Sequence, residues 1–330
     1  MRDLIARLTE AYGPSGHEEQ IREIIRTEVE PLVDEVRTDT LGNLIAHKRG
    51  AGGGKKVMLA AHMDEIGLIV SHVDEKGFLR AQPIGGVDVM TLSGGRVQFS
   101  DGTTGVLAPE KRSEFQKGPE LAKVYIDIGA TSYAEAKARL GQAVGFVRPF
   151  ADLGRRIVAK ALDDRIGCAA LIETLRQLEN SPHDVYGVFS VQEEVGLRGA
   201  RTSAYGLEPE VGIAIDITAA ADTPEAPKLA MKLGEGPCIK VMDGGMLAHP
   251  GVKNLMIETA EARGIPYQLE VLPSGTTDAS AIQLAHSGVP VGCVSIACRY
   301  YHTPSEMVDI EDVENTVRLL LAMLEQPFQL

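Results

Sequence analysis

Apolar positions recur along this chain in two rhythms, and the rhythm changes twice. Near the start, Leu4, Ile5 and Leu8 mark a short helix that Gly13-Pro14 ends. Ile21, Ile24, Ile25 and Val29 recur at helical spacing and predict a second helix, closed by Pro31. Ser15 and Glu18 have the spacing of a capping box ahead of it. Short strands are expected at residues 33–37 and 44–47, with Gly42-Asn43 as the turn. Residues 50–54 read as a flexible glycine-rich loop. Residues 56–61 are continuously apolar, the pattern of a strand in a sheet covered on both faces. That run ends at His62-Met63-Asp64.

From Gly67 to about Leu153 the texture is different. Short β-like runs alternate with glycine turns, and helical periodicity is weak except across residues 133–140. The pattern predicts a small β domain, a barrel or sandwich, at 67–154. Beyond it the long rhythm returns. Cys168, Leu171, Ile172, Leu175 and Leu178 form the apolar face of a helix preceded by Asp163-Asp164. Strands are expected at 185–191, 211–217 and 289–297, and helices at 252–263 and 278–287. A last helix starts near Asp309 and runs through Val313, Val317, Leu320 and Leu324. Strands alternating with helices imply an α/β fold, a mixed and mostly parallel sheet with helices on both faces. Residues 1–66 and 155–330 then make one discontinuous domain, with the β segment inserted into it.

Composition narrows the class. The chain has 330 residues, 44% hydrophobic and 24% charged, ordinary for a globular protein with a sizeable core. Its net charge of −13 argues against nucleic acid or an anionic membrane as partner. No apolar run approaches the ~20 residues of a membrane-spanning helix. The N-terminus lacks a secretory pattern, so a cytoplasmic location is expected. Cys168, Cys238, Cys293 and Cys298 lie in apolar surroundings without a C-x-x-C pair, and read as buried thiols rather than metal ligands.

Candidate chemistry collects at predicted strand ends. The stretch VFSVQEEVGLRGA begins as a strand, places Glu193 and Glu194 at or past its end, and then breaks at Gly196 and Gly199. Neighbouring side chains on extended backbone point to opposite sides, so these two carboxylates can do two jobs in one cleft. His62 with Asp64, Asp163 with Asp164, Asp216, and His302 occupy similar places. In open α/β sheets the ligand crevice lies at the carboxyl ends of the strands, where distant positions converge. Two imidazoles and several carboxylates suit Zn²⁺, Co²⁺ or Mn²⁺. Each residue also has an ordinary use. His62 and His302 could be hydrogen-bonded strand-end or loop histidines. Asp163-Asp164 could cap a helix. Glu193-Glu194 could be a solvated loop. Asp216 is harder to explain away, because a lone carboxylate within VGIAIDI is costly to bury without a cation.

Taken together and in order, HMDEIG, ALDDRIG, QEEVGLRGA, the strand aspartate and RYYHTPSE closely resemble the M42 family of metallo-aminopeptidases, relatives of the M28 and M20 peptidases. The resemblance covers essentially the whole chain. It implies two divalent ions per subunit, Zn²⁺ or Co²⁺ and possibly Mn²⁺. Asp163 would bridge them, His62 and Asp216 would complete one site, and Glu194 and His302 the other. Glu193 matches the general base, and Asp64 the residue that orients His62. The β insert matches a PDZ-like dimerisation domain, with assembly as a homodimer or homododecamer. The implied reaction is removal of N-terminal residues from short peptides.

Three further residues are candidates for the substrate side. Thr277 and Asp278, in SGTTDAS, either cap the helix that follows or face substrate. Arg299 either reads an acidic side chain or serves as a structural ion-pair partner. Two other functions remain open at this stage. A glycoside hydrolase could use paired carboxylates, but it would want aromatic sugar platforms, and this chain has no Trp and 5% aromatic residues. A non-catalytic peptide-binding scaffold would have no use for Glu193.

Overall fold

The computed structural model describes residues 1–329, Glu114 by its backbone alone, so the last residue of the expected discontinuous domain lies outside it. Among the described residues, eleven strands form one mixed sheet. Its centre is parallel: Asp184–Ser190, Lys56–His62, Val211–Ala219 and Val291–Arg299 lie side by side. Buried aliphatic runs such as Val57–Ala61 supply the two-sided burial that such strands need. The edges are antiparallel. Leu44–Lys48 pairs with Asp184–Ser190 on one side, and Glu306–Asp309 pairs with Val291–Arg299 on the other.

Helices cover both faces. The helix Leu162–Gln177 lies against the central strands beside the helix Ile310–Leu324, and its buried Ile166, Leu171, Ile172 and Leu175 enter the larger core. Arg198–Leu207 and Asp278–Gln283 cover the other face through a second core that includes Ala200, Ala204 and Ile282. The helix at 310–324 is capped as its sequence suggests, because the Asp309 side chain accepts from Glu311 N.

The β segment closes on itself. Strands Gly67–Val73, Leu79–Ile84, Val124–Asp127, Thr104–Pro109, Arg96–Phe99 and Ala143–Val147 form a closed antiparallel barrel around Leu68, Val97, Phe99, Leu107, Ile126 and Val144. Its core is separate from the two cores of the large sheet.

Two local expectations fail. Ser15 and Glu18 make no capping box. Ser15 Oγ donates to Asp64 Oδ2 at 2.6 Å, and Glu18 Oε1 accepts from Gly16 N at 2.7 Å and Gln192 N at 3.1 Å. A fully buried carboxylate at Asp64 demands donors more strongly than a solvated helix end does. The helix expected at 278–287 stops at Gln283, and His286 adopts a left-handed φ of 50° that a continuing helix could not accommodate.

The parallel register sets up the site. Ser190 lies opposite His62, and Asp216 opposite Ser295. The segments leaving these strands, 191–194 and 300–302, therefore emerge at one end of the sheet, beside His62 and Asp216.

Candidate active site

His62 closes its strand with its ring buried. Nε2 lies 3.0 Å from Asp163 Oδ1, and Nδ1 lies 3.2 Å from the Asp64 carbonyl and 3.5 Å from its carboxylate. The Asp64 carboxylate also accepts from Glu193 N at 3.0 Å and Glu194 N at 3.2 Å. It thus fixes the backbone of the two glutamates as well as facing His62. Asn43 holds the same loop from outside: its Oδ1 accepts from Val191 N, and its amide donates to Gly199 O, both at 3.0 Å. A side chain on Gly199 would collide with that amide and with Val191's backbone, so the close approach needs glycine.

Asp163 and Asp164, joined by a cis peptide, project from the start of the helix Leu162–Gln177. Asp163 Oδ2 is 3.3 Å from His302 Nε2, which is also 3.2 Å from Glu194 Oε2. Ligand atoms of His62, Asp163 and Glu194 lie within 4.8 Å of one another, and so do those of His62, Asp164 and Asp216. The second group contains an aspartate that the sequence reading left without a role. Asp164 Oδ2 also accepts from His62 N at 3.2 Å, and Oδ1 from Gly167 N at 3.1 Å.

These groups open into a cavity of about 670 Å³. His62, Asp163, Glu193, Glu194, Asp216 and His302 line one side. Leu229, Leu272, Pro273, Thr277 and Tyr301 line the others.

Their electrostatics are those of a cation site. Burial raises the carboxyl pKa values of Asp164, Glu193, Glu194 and Asp216, and neighbouring carboxylates raise them further. Burial would discharge His302, but Asp163 and Glu194 hold its proton and push its pKa up to about 12. His62 is likewise raised, with Glu193 and Asp163 outweighing burial. Asp163 is lowered, because the two imidazoles overcome its own burial. Five crowded carboxylates with two imidazoles form an oxygen- and nitrogen-rich donor set that fits divalent ions.

Comparison with known proteins agrees with this chemistry. The family model described as M42 glutamyl aminopeptidase matches residues 42–319. The chain belongs to the M42 peptidase family. This M42 peptidase is an aminopeptidase-type hydrolase of peptide bonds, which sets the carbohydrate and scaffold readings aside. Lysyl aminopeptidase of Pyrococcus furiosus is 40% identical, the match covering 98% of this chain and 96% of that protein. An aminopeptidase structure from Desulfurococcus kamchatkensis superposes with a TM-score of 0.95 at 43% identity, covering 99% and 95% of the two chains. The TET1 peptidase of Pyrococcus horikoshii, described as assembling into a tetrahedron or a large octahedral shell, has a TM-score of 0.86 at 32% identity over 98% and 99%.

The M42 peptidase places the three substrate-side candidates differently. Thr277 opens the helix Asp278–Gln283 without capping it, and its buried hydroxyl faces the cavity with no partner among the described residues. Asp278 does not cap either. Its Oδ2 accepts from Ser190 Oγ, its Oδ1 has no partner among the described residues, and burial raises its pKa to about 6. Arg299 is turned elsewhere, with Nε and Nη2 each 2.7 Å from an oxygen of Asp222. That two-pronged pair occupies the guanidinium, as the ion-pair alternative requires.

Sequence reasoning missed several supports. Glu306 accepts from Asp163 N and His302 N, both at 2.9 Å, and so ties the Asp163 and His302 segments together. Lys240 lines the cavity and pairs with Glu270 at 2.5 Å, which also accepts from Thr218 Oγ1 at 2.8 Å. The available signal was a charged residue inside a strand, as in CIKVM, which needs a buried counter-charge.

The same electrostatics predict how the metal-free protein melts. A carboxyl whose folded pKa is raised stabilises the fold below its unfolded pKa and loses that contribution as pH rises through the folded value. For Asp278 the loss runs from 3.8 up to about 6, with only its tail above that. His302, raised from 6.5 to about 12, loses its contribution progressively above 6.5. Both run in the same direction. The chelated protein is expected to melt at a lower temperature at about pH 8 than at about pH 6, with Zn²⁺ or Co²⁺ restoring the difference. Differential scanning fluorimetry reads this directly. A pH-independent melt unaffected by added ions would contradict the cation-site reading.

Proposed function

We propose that this M42 peptidase is a dinuclear, divalent-metal-dependent aminopeptidase acting on short peptides. One observation carries the reading. Asp163 turns one oxygen to His62 at 3.0 Å and the other to His302 at 3.3 Å, so one carboxylate faces both halves of the donor set and could be shared by two ions. His62 and Asp216 would complete one ligand set, with Asp164 close behind, and Glu194 and His302 the other. Zn²⁺, Co²⁺ and Mn²⁺ all suit these donors.

When bound, the ions supply Lewis acidity toward the scissile carbonyl and lower the pKa of the attacking water. Glu193 takes a proton from that water as its oxygen bonds to the carbonyl carbon. It then delivers the proton to the leaving amine nitrogen as the C–N bond breaks. Burial and the neighbouring carboxylates raise its pKa in the metal-free protein, a shift that bound cations would oppose. Asp64 holds the Glu193 backbone and faces the outer nitrogen of His62, so the base and the ligand keep their geometry through the cycle. The unpartnered Thr277 hydroxyl and the acidic side of the cavity would receive the substrate's α-ammonium group. Binding that terminus restricts cleavage to the first peptide bond. Arg299, already paired with Asp222, has no part in this scheme.

The division into a catalytic domain at 1–66 and 155–330 and an insert at 67–154 follows the separate barrel core. In this reading the barrel mediates self-association, as a dimer or a larger shell like that described for the horikoshii peptidase, and a shell would exclude folded proteins.

The test is a panel of aminoacyl-p-nitroanilides. Activity is expected to vanish on chelation and to return with Zn²⁺, Co²⁺ or Mn²⁺. Inactivity toward every residue with every ion overturns the proposal. The same panel identifies the preferred N-terminal residue.

A further inference from the structure

The barrel reaches the site. Its strand Leu79–Ile84 runs into Gly85-Gly86, and this backbone lies directly on the Glu194 and His302 side chains. A methyl group on Gly86 would stand 2.6 Å from His302 Nδ1 and 2.9 Å from Cε1. One on Gly85 would stand 3.1 Å from Glu194 Oε2 and 2.9 Å from Ile66 Cγ2. Two residues further on, Asp88 N donates to the His302 carbonyl at 3.4 Å. The His302 ring is therefore held on two sides. Nε2 faces Asp163 and Glu194, and the Nδ1 edge rests on Gly86.

We propose that Gly86 is a positioning residue for the second metal site, its missing side chain being the space that lets the His302 ring reach Glu194 and Asp163. This rests on the dinuclear reading above. The Nδ1 edge packs on the Gly86 backbone, so the barrel loop limits how the ring can turn. Relief of a methyl at Gly86 falls on the end of a rotatable side chain rather than on backbone, so the ligand moves and the fold persists. Gly86 is also the clean position to change. Its φ lies outside the left-handed region, whereas Gly85 has a φ of 74° and is strained by any side chain.

The experiment compares full-length wild type, Gly86→Ala, His302→Ala, and the double variant. Gly118→Ala is the control, because it lies in the same insert and meets nothing within 4 Å. Metal content after reconstitution, titrations with Zn²⁺ and the absorption spectrum of the Co²⁺ form are the readouts. Wild type and Gly118→Ala are expected to hold two ions. Gly86→Ala should hold one tightly and the other about 10–100-fold more weakly, with a metal-free melt lowered no further than that of His302→Ala. In the His302→Ala background, Gly86→Ala should have no further effect. Two ions held by Gly86→Ala at wild-type affinity overturn this inference alone. Wild type that takes up no ion overturns it together with the dinuclear reading. Should Gly86→Ala fail to fold alone yet fold in the His302→Ala background, the clash with the ring is confirmed. Failure to fold in both backgrounds assigns the glycine to the barrel and overturns the inference.

Discussion

Glu193→Gln is expected to lower kcat by about 10²–10⁴-fold while leaving metal content and melting temperature close to wild type. The substitution keeps the shape of the side chain and removes the ability to carry a proton. Glu193 is outside both groups of clustered ligand atoms and lies 3.8 Å from His62 Nε2. Glu194 is a member of one group and lies 3.2 Å from His302. The adjacent variant Glu194→Gln is therefore expected to fail differently, by losing an ion. Metal analysis alongside steady-state kinetics on an aminoacyl-p-nitroanilide separates the two. Full activity in Glu193→Gln would remove the general base from the scheme. Loss of an ion in that variant would make Glu193 a ligand.

Two of the proposed ligands, His62 and Asp216, stood out in the sequence because each interrupts an apolar run of a central strand. The run 56–61 has to be buried on both faces, so His62 marks its exit. Asp216, inside the fully buried run 211–217, carries a carboxylate that is costly to bury without a cation. The division of labour between Glu193 and Glu194 was not legible from alternation alone. It came from the family resemblance, and the distances to His302 and His62 are consistent with it. The antiparallel edge beyond Val291–Arg299 was hidden for a different reason. Glu306–Asp309, Arg156–Ala159 and Ala151–Asp152 are too short to display a period. The supports were hidden because each has a commoner local use. Ser15 and Glu18 have the spacing of a helix cap, yet both are recruited by groups distant in sequence, Asp64 and Gln192. Gly85-Gly86 reads as a turn between strands, and only the fold shows that the turn lies against Glu194 and His302.

Behind the site, Glu65→Gln is expected to cost about 3–5 kcal/mol of folding stability, the range for leaving buried charges without their partner. Glu65 is almost fully buried between two cations. Oε2 is 2.6 Å from Lys160 Nζ, and Oε1 is 3.5 Å from Arg165 Nη2 while accepting from Gly13 N at 3.0 Å. Arg165 is fully buried and carries the cluster into the active site. Its guanidinium donates to Met63 O at 2.7 Å and to Leu8 O at 2.5 Å, joining the first helix, the His62–Asp64 turn and the Asp163-Asp164 helix. An amide at position 65 cannot neutralise either cation. Lys160 has an escape, since burial already lowers its pKa and it can shed its proton, whereas Arg165 cannot. Lys160→Met is therefore expected to be milder than Glu65→Gln, because it leaves Glu65 paired with Arg165. The measurement is urea unfolding of the metal-free proteins, with the midpoint shifting while the slope stays constant. A Glu65→Gln loss below about 1 kcal/mol, the size of an exposed pair, would mean that water reaches the cluster. The His62 turn would then have to be held by Asp64 and Ser15 without it.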